Sequence, residues 1–181
     1  EIPSESNNVI FDGESFLNPF DTLFIFSQNP TCKSIKFINI PFKIVIFGGS
    51  PITDFIIFGS FKSHQNVIND YRGNYVFMSQ EAGNFIETKG SRFTGNLKFE
   101  GTGEWTLVDD LYEYADTVPW AQIVEVTSDF DPENDTIVFG YGPNIQHKRG
   151  TLLSNGHSIN CRGFQTTGSY TRTLNITNTD V

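Results

Sequence analysis

Apolar residues in this chain come in short runs, each stopped by Gly, Asn, Pro or Ser. Runs of that length rich in Val, Ile, Phe and Tyr read as strands, and the stops as turns. The pattern predicts strands over 8–11, 22–26, 34–39, 43–47, 54–58, 74–78, 84–88, 96–99, 104–108, 122–127, 135–139, 150–153, 158–161 and 172–176. One phrase recurs, an apolar pair followed by Phe-Gly, as Val45-Ile46-Phe47-Gly48, Ile56-Ile57-Phe58-Gly59 and Ile137-Val138-Phe139-Gly140. Looser forms end at Gly13 and Gly101. Short strands that echo one another predict a stack of similar units. Helical spacing shows only over 108–115, where Leu111, Tyr112 and Ala115 share a face.

The expected fold is all-β, a right-handed β-solenoid of the parallel β-helix kind. Inward residues of successive coils would stack on one another. A two-layer β-sandwich is the alternative that the same pattern fits. The step from Phe47 to Phe58 reads as one strand plus one turn, about half a coil.

Composition strengthens the all-β reading. There are 18 Phe and 18 Ile against three Ala. Bulky aromatic and β-branched side chains suit a pleated surface, while the best helix former is nearly missing. The net charge of -9 leaves little basic surface to neutralise phosphate, so nucleic acid is not an expected partner. No apolar run is long enough to span a bilayer. Met78 is the only methionine, and Glu1-Ile2-Pro3-Ser4-Glu5 does not read as a signal peptide. The chain therefore reads as one repetitive β module, 1–181, within something longer. Residues 22–52 lie on 151–181 without a gap, with Thr22-Leu23 over Thr151-Leu152 and Cys32-Lys33 over Cys161-Arg162. That overlay makes 22–150 one unit and 151–181 the start of the next, with 112–149 as an insertion. Two distant cysteines are too few for a disulfide framework. Two separate buried thiols are the reading for Cys32 and Cys161, with a single long-range bridge left open.

The C-terminal half carries a resemblance. Asn96-Leu97-Lys98-Phe99-Glu100-Gly101 leads into Glu104-Trp105-Thr106-Leu107. Gly150-Thr151-Leu152, Cys161-Arg162-Gly163-Phe164 and Arg172-Thr173-Leu174 follow. This order resembles the tandem modules of very large cell-surface proteins of Bacteroidetes, such as the gliding-motility adhesins exported by the type IX secretion system. The resemblance implies secretion, display at the cell surface, and adhesion or gliding. It implies adjacent modules, the secretion machinery, and an extracellular surface or glycan as partners. It does not itself imply an activity. The Asp-Thr-apolar triplets at Thr22, Thr117 and Thr136 are similar to an O-glycosylation signal of Bacteroidetes envelope proteins, although an ordinary strand threonine explains them too.

Candidate chemistry is sparse. Asp129, Asp131, Glu133 and Asp135 alternate on a Pro-containing loop and could converge on Ca²⁺, which takes six to eight oxygens. A solvated acidic loop is the other reading, and no further cofactor is expected. Asp109-Asp110 with His157 offers the acid/base pair of a polysaccharide-degrading β-helix enzyme. Their order differs from the pattern such enzymes resemble, so an enzyme is not the primary expectation. His64, His147 and His157 lack metal-ligand spacing. Trp120, with Tyr114 nearby, is the expected ligand contact if the module binds carbohydrate.

Overall fold

The computed structural model describes residues 3–26, 29–111, 114–117, 138–141, 144–159, 161 and 163–176. Among them there is no helix, and the chain winds as a β-solenoid of about six coils. Three parallel sheets form its faces. The first holds β1 (Asn8–Phe11), β4 (Ser34–Phe37), β7 (Phe61–Lys62), β10 (Asn84–Glu87), β12 (Glu104–Leu107), β16 (Gly150–Leu153) and β18 (Arg172–Asn175). The second holds β3 (Thr31–Cys32), β6 (Asp54–Ile57), β9 (Asn74–Phe77), β11 (Leu97–Phe99), β15 (Asn144–His147) and β17 (Gly163–Gln165). The third is short, with β2 (Thr22–Ile25), β5 (Ile44–Gly48) and β8 (Val67–Tyr71). Parallel pairing of strands one coil apart distinguishes this architecture from a sandwich, whose sheets are antiparallel.

The register defines the coil. On the first face Asn8 pairs with Ser34, Phe61 with Ile86, Asn84 with Trp105 and Gly150 with Arg172. Early coils are thus slightly longer than late ones. The first three coils each visit all three faces, and the step from Phe47 to Phe58 crosses one corner; its 11 residues are about half of the 23 that separate Ile44 from its register partner Val67. The overlay of 22–52 on 151–181 joins different faces, since Thr22 lies in the third sheet and Thr151 in the first. The repeat that the register describes is the coil. One coil is far longer than the rest. In the last coil Ile159 and Gly163 lie four positions apart in the sequence. Leu111 bridges Ile159 and Asn144 pairs with Gly163, so the matching stretch one coil earlier runs from Leu111 to Asn144. The extra residues thus enter after the first face, beyond Leu111, and before the second. Within them β13 (Tyr114–Thr117) and β14 (Val138–Tyr141) pair antiparallel. The helical spacing over 108–115 does not become a helix. Leu111 joins the ladder as a parallel bridge, and strand β13 begins at Tyr114.

Alternation along each strand fills the interior with stacked rows. On the second face Cys32, Ile57, Phe77, Phe99 and His147 are register partners in successive coils. Phe77 and Phe99 stack at 5.0 Å between ring centroids, and His147 meets Phe99 edge-on at 6.1 Å. Polar ladders run beside the apolar ones. Asn96 Nδ2 donates to Asn74 Oδ1 at 3.0 Å, and the Asn144 amide N–H donates to Asn96 Oδ1 at 3.2 Å. Asn74 Nδ2 in turn donates to Asp54 Oδ1 at 2.7 Å.

Cys32 is buried in the first coil, and Cys161 lies just before β17 in the last. Five strand spacings separate those levels, about 24 Å. A disulfide needs Cα atoms within about 7 Å, so the two do not bridge. Burial pushes the Cys32 thiol up to about 12, which keeps it an unreactive thiol in the fold.

His147 is wholly buried, with Nε2 3.1 Å from the Gly150 carbonyl oxygen. Burial holds its pKa below the ordinary 6.5 and outweighs the hydrogen bonds that favour the charged form. The folded imidazole is therefore neutral, and the unfolded state takes up a proton first as pH falls. Stability is complete above about pH 6.5 and declines below it, by at most about 1.4 kcal/mol per pH unit. Thermal melts between pH 7.5 and pH 5 will show this slope, and His147→Phe will flatten it. An equal slope in the variant counts against the assignment.

Candidate binding surface

The outer surface of the third sheet is unusually apolar. Its register sets Thr22, Val45 and Ile68 in one outward row and Phe24, Phe47 and Asp70 in the next. Phe26 follows β2 on the same side as Phe24, by the alternation of the strand. Phe24 is 51% exposed, Phe26 81% and Phe47 40%. The rings touch one another, Phe24 stacking on Phe26 at 5.1 Å and meeting Phe47 edge-on at 5.9 Å. After Phe47 the middle strand carries no side chain, because Gly48 and Gly49 follow. On the far strand Arg72 Nε donates to Asp70 Oδ1 at 3.4 Å, and both side chains reach solvent.

These phenylalanines escaped sequence reasoning for a physical reason. In Thr22-Leu23-Phe24-Ile25-Phe26 both alternating sets are apolar, so periodicity alone does not say which set faces inward. Leu23 and Ile25 pack against the core. The available signal was the run of three aromatic or apolar outward positions beside Asp70.

The corner between the first and third faces holds the Asp109-Asp110 pair. Asp109 accepts the backbone N–H of Thr88 at 2.7 Å and of Lys89 at 2.6 Å, both in the preceding coil. Asp110 accepts the Ser158 N–H at 2.8 Å in the following coil, with His157 Nδ1 3.6 Å away. The two carboxylates point to different coils and act as staples between them. Asp109→Ala leaves two N–H groups without their charged acceptor and is expected to cost about 2 kcal/mol. Urea unfolding measures it, and a midpoint unchanged from wild type would contradict the staple.

Near that corner a cleft of about 400 Å³ lies among Lys62, His64 and Lys89. Glu87 binds both ammonium groups at 2.7 Å. Burial alone would raise Glu87, but the hydrogen bonds from Lys62 and Lys89 outweigh it and hold its pKa below the usual 4.5. At the first coil, Val9, Phe11, Leu23, Ile25 and Cys32 line an almost wholly apolar cleft of about 320 Å³, whose rim includes Phe24 and Phe26. Among the described strands β1, β2 and β3 each pair with one neighbour only.

The other expected site residues divide in two. Trp120, Asp129, Asp131, Glu133, Asp135 and Thr136 lie outside the described residues, so the Ca²⁺ loop and the Trp120 contact are not placed. Tyr114 and Thr117 lie on β13. Thr22 stands half-buried on β2, its hydroxyl donating to the Phe20 carbonyl oxygen at 3.3 Å. Among the described residues no three His, Cys, Asp or Glu side chains gather as a metal site, and no helix is long and apolar enough to cross a membrane.

The fold and these surfaces define a β-solenoid with an outward aromatic face. No family model matches the chain, and neither a curated protein nor a solved structure matches it.

Proposed function

We propose that this chain is a structural and adhesive segment of a large secreted cell-surface adhesin, serving surface attachment or gliding. The observation that carries the reading is the outward cluster of Phe24, Phe26 and Phe47 on a rigid stacked shaft. A soluble domain gains nothing from exposing adjacent aromatic rings unless something docks there. Continuous parallel ladders from β1 to β18 suit a load-bearing rod, because each coil is tied to the next by backbone hydrogen bonds. The singly paired strands of the first coil suit an adjacent module of the same protein, which would cover the strand edges. Display outside the cell, after export by a secretion machine, accords with the acidic surface and with the resemblance of the C-terminal half. Asp109 and Asp110 are bound to backbone groups of different coils, which favours display over turnover.

The test is retention under flow. Beads coated with the chain should hold to polysaccharide-coated glass or to a bare surface more strongly than albumin-coated beads. Equal release of the two kinds of bead on every surface would sink the adhesive reading.

A further inference from the structure

We infer that the outer face of the third sheet is a binding site for a neutral polysaccharide. The inference rests on the adhesive reading above and names the ligand and the residues. Four observations carry it.

Size comes first. Three strands about 4.8 Å apart, each a short pass, give a patch roughly 15 Å on a side. That is ~200 Å², well under the about 800 Å² per partner of a stable protein interface. Taken alone the sheet face is small for a folded partner or a second copy, although Phe24 and Phe26 also border the apolar cleft of the first coil. It is large enough for a few sugar rings.

Second, the chemistry is two-sided in the way a sugar is. A pyranose offers an apolar C–H face and a rim of hydroxyls. The exposed rings of Phe24, Phe26 and Phe47 supply apolar contact area, with faces that carry partial negative charge toward C–H groups. Asp70 and Arg72 stand one strand away from Phe47 and supply an acceptor and a set of donors for hydroxyls.

Third, the middle strand ends in Gly48-Gly49, so no side chain interrupts the run from Phe47 toward Arg72. Tyr71 requires that glycine, since a Cβ on Gly49 would lie 2.8 Å from the Tyr71 ring carbon Cζ.

Fourth, charge selects among polymers and membranes. Asp70 is the register partner of Phe47, and the chain carries a net charge of -9. An acidic polymer such as a uronate, or an anionic lipid surface, would be repelled.

The test uses the full chain. Binding to soluble β-glucan and mannan oligosaccharides is followed by titration calorimetry and by NMR line broadening, with polygalacturonate and phosphatidylcholine vesicles as comparators. At least one neutral glycan should bind and polygalacturonate should not. Phe24→Ala and Phe47→Ala should each weaken binding roughly tenfold, the loss of one aromatic contact. Both residues face solvent, and far-UV circular dichroism will show whether the variants keep the fold. Binding that is unchanged in both variants overturns the assignment. So does binding to the vesicles or to polygalacturonate in place of neutral glycan, or binding to none of the probes. Beads that still resist flow while carrying Phe24→Ala or Phe47→Ala would overturn this site and leave the adhesive reading standing.

Discussion

Trp105→Ala is expected to lower the unfolding free energy by about 3–5 kcal/mol, the usual range for deleting a fully buried Trp. Trp105 on β12 is 0% exposed and sits edge-on to Phe99 at 5.6 Å and Phe77 at 6.1 Å. Its indole Nε1 donates to the Gly59 carbonyl oxygen at 3.2 Å, so one side chain ties together coils that are not sequence neighbours. Alanine removes the aromatic contacts, opens a cavity and leaves that carbonyl without its partner. Trp105→Phe keeps most of the packing and loses the hydrogen bond, and should cost about 1 kcal/mol plus a smaller packing loss. Denaturant midpoints read by circular dichroism separate the two variants. A Trp105→Ala protein within about 1 kcal/mol of wild type would mean that the aromatic column is not the centre of stability.

Gly150→Ala is the second large effect, expected at about 2–5 kcal/mol from two additive causes. Gly150 has φ +74°, where a side chain costs about 1–2 kcal/mol. A Cβ there would also lie 2.5 Å from the Gly103 carbonyl oxygen and 2.6 Å from that of Gly101. Backbone atoms of a neighbouring coil yield little, and overpacking of this kind adds about 1–3 kcal/mol. Gly156 provides the control. Its φ is +82°, and a Cβ would meet nothing within 4 Å. Gly156→Ala should therefore show the conformational cost alone, about 1–2 kcal/mol. Equal midpoint shifts for the two variants would show that the coils do not press together at Gly150.

Much of the scaffold was legible in the chain. The strands over 8–11 and 150–153 coincide with β1 and β16, because apolar runs there end at unambiguous turns. The two-residue strands β3 and β7 were not foreseen. A solenoid face needs only a brief extended pass, too short to build a periodic signal. The parallel strand β15 was hidden by its composition, Asn144-Ile145-Gln146-His147, since His147 turns inward as if it were apolar. The Phe-Gly phrase misled in another way. Phe47 points to solvent on the third face, whereas Phe58 lies beyond β6 at a corner, half-buried. One phrase therefore serves different positions in the coil. Of the candidate sites, Asp109-Asp110 was visible as a pair, but its use as a staple depends on which coil each carboxylate meets. That is a property of the winding and not of the pair. The aromatic face was hidden for a related reason, since Phe47 comes from the next coil and meets Phe24 only through register.

The extra residues fall between Leu111 and Asn144, and the first and second sheets continue beyond them with strand-to-strand pairing intact. Length at that point is consequently decoupled from the geometry of the shaft. Evolution, or an engineer, could exchange the excursion for another of different size and alter what the rod carries outward while leaving its spine the same.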